Sequence, residues 1–399
     1  MSQQVGLLSR LARAAAGALV VALAACQSSP SPPSPAGAAG FVGSAACKDC
    51  HDRIYASWQQ TLHAKIVQDV QQHPQALQGD WSQPFEHRKF EKKDVRYIHG
   101  VQWKQRYINE KWQVYPAQWD FEAQKWAGYN VDRGGTADWR KSCAYCHVVG
   151  FDAEKLSWAE FGIGCEACHG PGERHVKAKP AERAGTIVNP ASLPFDYAAS
   201  TCGQCHTRGK SPDGKWDHPV GFRVGDYLTT AHYVVADKKD ERAWWPDGSV
   251  KQHRQQYPEW KESRHAKAGV TCITCHSVHE ATSKFGTRTS PNNLCVSCHS
   301  TVSTDSVTGH APIAGAPQHS DCVGCHMART GKSADRGDER VHTFRVVKPE
   351  TTLKLGAGDV AKQPNSCNGC HAHGDDSPAK LQKALDEGAR QRFTALGRR

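Results

Sequence analysis

The segment Phe41-Val-Gly-Ser-Ala-Ala-Cys47-Lys-Asp-Cys50-His51 decides how the rest of the chain is read, because its Cys-x-x-Cys-His pattern returns seven more times. The other copies are Cys143/Cys146/His147, Cys165/Cys168/His169, Cys202/Cys205/His206, Cys272/Cys275/His276, Cys295/Cys298/His299, Cys322/Cys325/His326 and Cys367/Cys370/His371. Two cysteines three residues apart share one side of a helical turn, and the histidine that follows is presented beside them. That arrangement suits covalent attachment of a c-type haem, with two thioether bonds to the porphyrin and one imidazole on the iron. Zinc would need two cysteine pairs per ion and has no use for a histidine after each pair. A thioredoxin-like site needs a single pair in a βαβ setting. Eight copies therefore predict eight covalently attached haems c, with the motif cysteines as anchors and the motif histidines as proximal iron ligands.

The motifs use sixteen of the seventeen cysteines. The last, Cys26, follows a segment (1–25) that carries Arg10 and Arg13, then an apolar run ending in Leu23-Ala24-Ala25. This has the form of a secretory signal and is too short to span a bilayer. The Leu-Ala-Ala-Cys ending resembles a bacterial lipobox, so Cys26 is expected to be lipidated and to anchor the mature chain to a membrane. Residues 26–40 are mostly Ser, Pro, Ala and Gly without charge, the composition of a tether. The expected location is the cell envelope, at the periplasmic face or the surface of the outer membrane.

What remains provides about 45 residues for each haem, far less than an ordinary domain. The 38% hydrophobic content is thin for this length, and porphyrins would supply the missing apolar bulk. The expected fold is mainly α with extensive coil, organised around a haem stack, with four motifs in 41–240 and four in 241–399. Between the first two motifs, aromatic and β-branched residues alternate (Val95, Tyr97; Val114; Trp119, Phe121), which predicts a small β-rich insert near 85–131. At the other end Ser377-Pro378 precedes Leu381, Leu385, Ala389, Phe393 and Leu396, an N-cap, a first-turn proline and the stripe of an amphipathic helix. The formal charge of +10 falls to +8 when Arg10 and Arg13 leave with the signal. Haem propionates account for that excess, and no basic run argues for nucleic acid.

Subtracting the eight motif histidines from 22 leaves fourteen, whereas methionine occurs only as Met1 and Met327. Bis-histidine ligation, and hence low potential, is the default for nearly every iron. Two of the fourteen stand in a repeated setting: Trp58-Gln-Gln-Thr-Leu-His63-Ala-Lys returns as Trp260-Lys-Glu-Ser-Arg-His265-Ala-Lys.

The stretch Phe41–His51 with Trp58 and His63-Ala64 resembles the start of the cytochrome c-552/4 (cytochrome c-554) family. So do Gly164-Cys165-Glu-Ala-Cys168-His169-Gly-Pro-Gly-Glu-Arg-His175 and Ser263-Arg-His265 through Cys272, Cys275, His276 and His279. By position, the resemblance implies distal-ligand roles for His63, His175, His253, His265, His279, His310 and His342. His232 and His319 remain as candidates for an eighth, the alternative being one iron without a protein ligand. The chain departs from the four-haem pattern of that family by carrying eight motifs, so haem order does not transfer. The Cys-x-x-Cys-Lys site that marks nitrite reductases is missing as well.

Three functions are consistent with this sequence. The first is electron relay between redox protein partners, from a quinol-oxidising protein or periplasmic cytochrome to an acceptor. The second is reduction of a small nitrogen or sulfur compound at one five-coordinate haem. The third is a component of a cell-surface conduit.

Overall fold

The first, fourth, fifth and sixth motifs are each wound into a single turn, closed where the histidine N–H donates to the carbonyl of the first cysteine. The distances are 3.0 Å for His51 to Cys47 and His206 to Cys202, and 2.9 Å for His276 to Cys272 and His299 to Cys295. This bond spans four residues, so it places both cysteines and the imidazole on adjacent positions of one turn. The computed structural model describes residues 40–283, 285–300, 322–333, 337, 339–369 and 373–396, and no side chains at 133 or 388–396. The signal segment, Cys26 and the tether up to residue 39, His310, His319, Cys370 and His371 lie outside the described residues.

Most helices are short. Asp52–Trp58 follows the first motif, Cys165–His169 is the third, Phe195–Gly203 runs into the fourth and Cys322–His326 is the seventh. Long coil segments join them. Among the described residues no helix is long and apolar enough to cross a membrane. The exception in length is Pro378–Leu396, entered through Ser377, whose hydroxyl accepts from the Lys380 N–H. It lies against Pro349–Leu355, and the Gln382 side chain accepts from the Glu350 N–H at 2.9 Å.

The regular exception to this helical plan is a five-stranded antiparallel meander: β1 (Val67–Asp69), β2 (Tyr97–His99), β3 (Lys104–Ile108), β4 (Val114–Asp120) and β5 (Lys125–Gly128). It begins well before the expected insert, because β1 is recruited from the segment after His63 and pairs Val67 with His99. Three residues are too few to show a period of two. One side of the sheet is an aromatic core of Phe90, Tyr107, Trp119 and Trp126. The other side buries Val67, Ile108 and Val114 against Trp139, Ala144 and Val148, the residues that bracket the second motif. The buried cross-strand pair Lys104 and Asp120 compensates its own charges within the sheet.

The repeated Trp-to-His segments fold alike. Trp58 Nε1 donates to the Ile163 carbonyl at 3.1 Å and Trp260 Nε1 to the Val270 carbonyl at 2.8 Å. Ile163 and Val270 in turn donate their N–H groups to the carbonyls of His63 and His265, both at 2.9 Å. Each histidine sits in a one-turn helix capped by a hydroxyl: Thr61 accepts from the Ala64 N–H and Ser263 from the Ala266 N–H, both at 3.2 Å.

Candidate haem sites

The motif residues converge on one continuous cavity of about 3040 Å³, lined by cysteines or histidines of the second to seventh motifs. Small-molecule and cofactor pockets usually measure about 300 to 1,000 Å³, so this space suits several large groups side by side. Its walls also carry His63, His265 and His342, which belong to no motif.

The histidines meet in pairs that combine one motif residue with one outside the motifs. Ring centres stand 6.5 Å apart for His51 and His175, 6.5 Å for His63 and His206, and 6.1 Å for His169 and His279. They stand 6.0 Å apart for His265 and His299 and 6.4 Å for His276 and His342. Rings in direct contact would lie closer. Two imidazoles bonded to one metal at about 2 Å each place their ring centres about 6.2 Å apart, because each centre lies about 1.1 Å beyond its nitrogen. The five separations therefore fit an iron between each pair.

Burial favours the neutral form of His63 and His342, the form that binds a metal. It pushes His63 down to about 4 and His342 to about 3, with neighbouring imidazoles adding to the effect. The free nitrogens are oriented by the second partners expected of ligating histidines. His169 Nδ1 lies 2.7 Å from the Val188 carbonyl, His175 Nδ1 2.9 Å from Thr186 Oγ1 and His276 Nδ1 3.1 Å from the Phe285 carbonyl.

The second and seventh motifs differ. His147 and His326 join none of the five pairs; His326 Nδ1 lies 3.2 Å from the Phe344 carbonyl, and the ring nearest His147 is His99, with centres 4.1 Å apart. His99 is a β2 residue that no sequence pattern singled out, and its Nδ1 accepts from Trp139 Nε1 at 3.2 Å. His253, one of the distal-ligand candidates implied by the resemblance, is partly buried beside Arg208, Arg106 and Arg254 and is held well below the usual histidine range, by burial first and those cations second. His232 turns to Thr229 and Phe222 rather than to a motif.

Direct contacts order the motifs in space. Cys165 N–H donates to Ser44 Oγ, just ahead of the first motif, and the Cys47 and Cys165 thiols are neighbours. Gln204, inside the fourth motif, reaches the third through the Ala167 carbonyl (3.2 Å) and the second through the Tyr145 hydroxyl (3.4 Å). The thiols of Cys146 and Cys205, of Cys202 and Cys272, and of Cys295 and Cys322 are neighbours. Ser366, before the eighth motif, donates its hydroxyl to the Cys325 carbonyl at 2.8 Å.

Known proteins agree with this site. The profile of the cytochrome c554 and c-prime family matches residues 46–95 and 99–170, and that of the doubled CXXCH motif matches residues 265–304. The chain is a multihaem c-type cytochrome, a protein of electron transfer. It is 26% identical to the multiheme cytochrome MtrA of Shewanella baltica (strain OS185) over 278 residues, 60% of this chain and 79% of that one. It is 27% identical over 147 residues to the cytochrome c nitrite reductase subunit NrfA of Nitratidesulfovibrio vulgaris, covering 31% of this chain and 28% of that one. The crystal structure of the outer cell wall cytochrome OcwA superposes with a TM-score of 0.68 at 26% identity, over 87% of this chain and 86% of that chain.

Proposed function

We propose that the chain carries eight haems c and relays electrons along them, most of the irons being held by two histidines at low potential. The observation that carries this is the set of five histidine pairs at 6.0–6.5 Å, each joining one motif to a histidine elsewhere in the chain. Contacts between motifs support a route that runs first, third, fourth, fifth, then sixth and seventh towards the eighth, with the second haem branching at the fourth. The haems supply one-electron redox chemistry when bound. The chain supplies paired imidazoles, which would hold the irons low-spin, together with close spacing and an apolar wall.

The signal and lipobox-like sequence support export and a lipid anchor at Cys26, and the likeness to an outer cell wall cytochrome favours the outer face of the envelope. The partners would then be redox proteins: a quinol-oxidising protein or periplasmic cytochrome as donor, and an acceptor at or beyond the membrane.

A second reading, reduction of a small nitrogen or sulfur compound, is favoured by one observation: among the described residues neither His147 nor His326 has an imidazole at iron-spanning distance, and His147 instead meets His99 with centres 4.1 Å apart. One experiment separates the two. Haem counting by mass, with EPR of the oxidised protein, should give eight haems and low-spin signals. A high-spin fraction of about one haem in eight moves the assignment to the second reading. Fewer than eight haems overturns the count.

A further inference from the structure

Among the described residues, no carboxylate pairs with the Arg106 guanidinium. Arg106 lies on β3 directly across from His99 of β2, so both residues project from the same face of the sheet, towards the second motif. Its side chain is buried, with 9% of the residue exposed, and lines the haem cavity. Nε and Nη2 of its guanidinium have no hydrogen-bond acceptor, while the flat group stacks 4.4 Å from the Tyr129 ring. Elsewhere in the sheet the buried cation is matched: Lys104, two residues away, has Asp120. An unmatched buried guanidinium is strongly unfavourable, and its planar fork of donors is shaped for two oxygens of one anion.

Two more guanidiniums crowd the same place. Arg254 Nη1 is 3.6 Å from the Cys146 sulfur and its Nη2 donates to the Asp217 main-chain carbonyl. Arg208 is half-buried on the cavity wall and adds its charge at His253. The Asp217 carboxylate is engaged by Lys210 at 2.6 Å, and the Glu339 carboxylate accepts from the Arg254 main-chain N–H and the Gln256 side-chain amide, both at 3.2 Å. Among the described residues no carboxylate pairs with the guanidinium of Arg106, Arg254 or Arg208, and all three line the cavity beside the second motif.

We propose that Arg106, supported by Arg254 and Arg208, forms a buried site for anionic oxygen beside the haem attached at Cys143 and Cys146. The chemistry is that of a carboxylate or small oxyanion held by a guanidinium fork. Its source is either that haem's own propionates or a free anion such as nitrite or sulfite. The site rests on the haem reading of the second motif, which haem content tests separately.

The experiment uses the full, haem-loaded chain and R106Q. Haem content by mass comes first; a wild-type chain without haem at Cys143 and Cys146 would overturn the haem reading itself. With haem in place, a spectroelectrochemical titration and optical titrations with nitrite and sulfite at constant ionic strength distinguish the sources. A cation near a haem favours the reduced state, which carries one more electron. If propionates occupy the site, R106Q should lower one haem's potential by about 59 mV, a tenfold change in its reduction equilibrium, and leave the others unmoved. If a free anion occupies it, the wild type should show a saturable spectral change that R106Q weakens at least tenfold. Unchanged potentials together with an unchanged anion response would overturn the proposal. If R106Q fails to take up haem, the structure of the haem-loaded wild type decides: a propionate or added-anion oxygen within about 3.2 Å of the Arg106 guanidinium supports the site, and its absence overturns it.

Discussion

From Trp58 to Lys65 and again from Trp260 to Lys267, a tryptophan and a histidine are fixed by matching hydrogen bonds to the residue that leads into a haem motif, and a hydroxyl caps the histidine's helical turn. In the second copy that residue is close in sequence: Val270 lies just past the histidine and leads directly into Cys272. In the first, the chain leaves after Lys65, builds the whole five-stranded sheet and the second motif, and returns at Ile163 to make the same contacts before Cys165. Even the onward pairing matches, since His63 faces the fourth motif and His265 the sixth, each the motif after the one its helix docks on. The local design therefore does not depend on the length of the connection. Closing a longer loop costs only about 0.6 kcal/mol per doubling, so a large insertion is tolerated where the two ends are already held together.

The largest expected effect comes from removing the tryptophans. Trp58 and Trp260 are buried, and each ties the histidine helix to the residue that leads into the motif through its indole N–H. Trp58→Ala and Trp260→Ala should each cost about 3–5 kcal/mol, measured by thermal or denaturant unfolding of the haem-loaded chain. Equal losses would mean that the long connection adds no dependence of its own; a much larger loss at Trp58 would show that the excursion needs the tryptophan to return.

The next effect exists in one copy only. Glu259 precedes Trp260, whereas Ser57 precedes Trp58. The Glu259 carboxylate accepts from the N–H groups of Val250 and His342, and burial raises it to about 7. Because the folded value lies above the ordinary glutamate value of 4.5, the native state holds a proton that the unfolded chain has already released across pH 4.5–7. Stability from this group is thus fully present below that window and falls as pH rises through it, by about 3 kcal/mol at most. Glu259→Gln should flatten the pH dependence of unfolding there, with spectra of the first copy unchanged. A wild-type profile already flat across this range would contradict the assignment.

These contrasts also mark what the sequence could reveal. Haem attachment is legible because the chemistry demands particular residues at fixed spacing, so Cys47 and Cys50 identify a site without any fold. Which imidazoles face each other is not legible, since His51 and His175, or His169 and His279, come together only through long-range packing. The meander shows in the alternation around Tyr97 to Trp126, while β1 is too short to carry a period and is defined by its partner. His99 and Arg106 escaped notice for the same reason. Each is an ordinary strand residue until cross-strand register sets them side by side against the second motif.

Two smaller tests sharpen the match between the copies. His63→Met and His265→Met should each raise the potential of one haem, by on the order of 0.1 V within the range that axial ligands command. Spectroelectrochemistry of the two variants should move different haems, those of the fourth and sixth motifs. Movement of the same haem in both would rule out the pairing of rings seen here. The smallest effect is expected at the caps. Thr61 and Ser263 each satisfy one N–H of a one-turn helix that has no other support of its own, and an alanine there costs about 1 kcal/mol. Thr61→Ser and Ser263→Thr keep the accepting oxygen and should be close to neutral, whereas Thr61→Ala and Ser263→Ala should lose similar amounts. A cap loss confined to one copy would mean that the histidine helix of the other is held by its haem rather than by its own turn, and the symmetry of the two segments would then be one of shape without a shared cause.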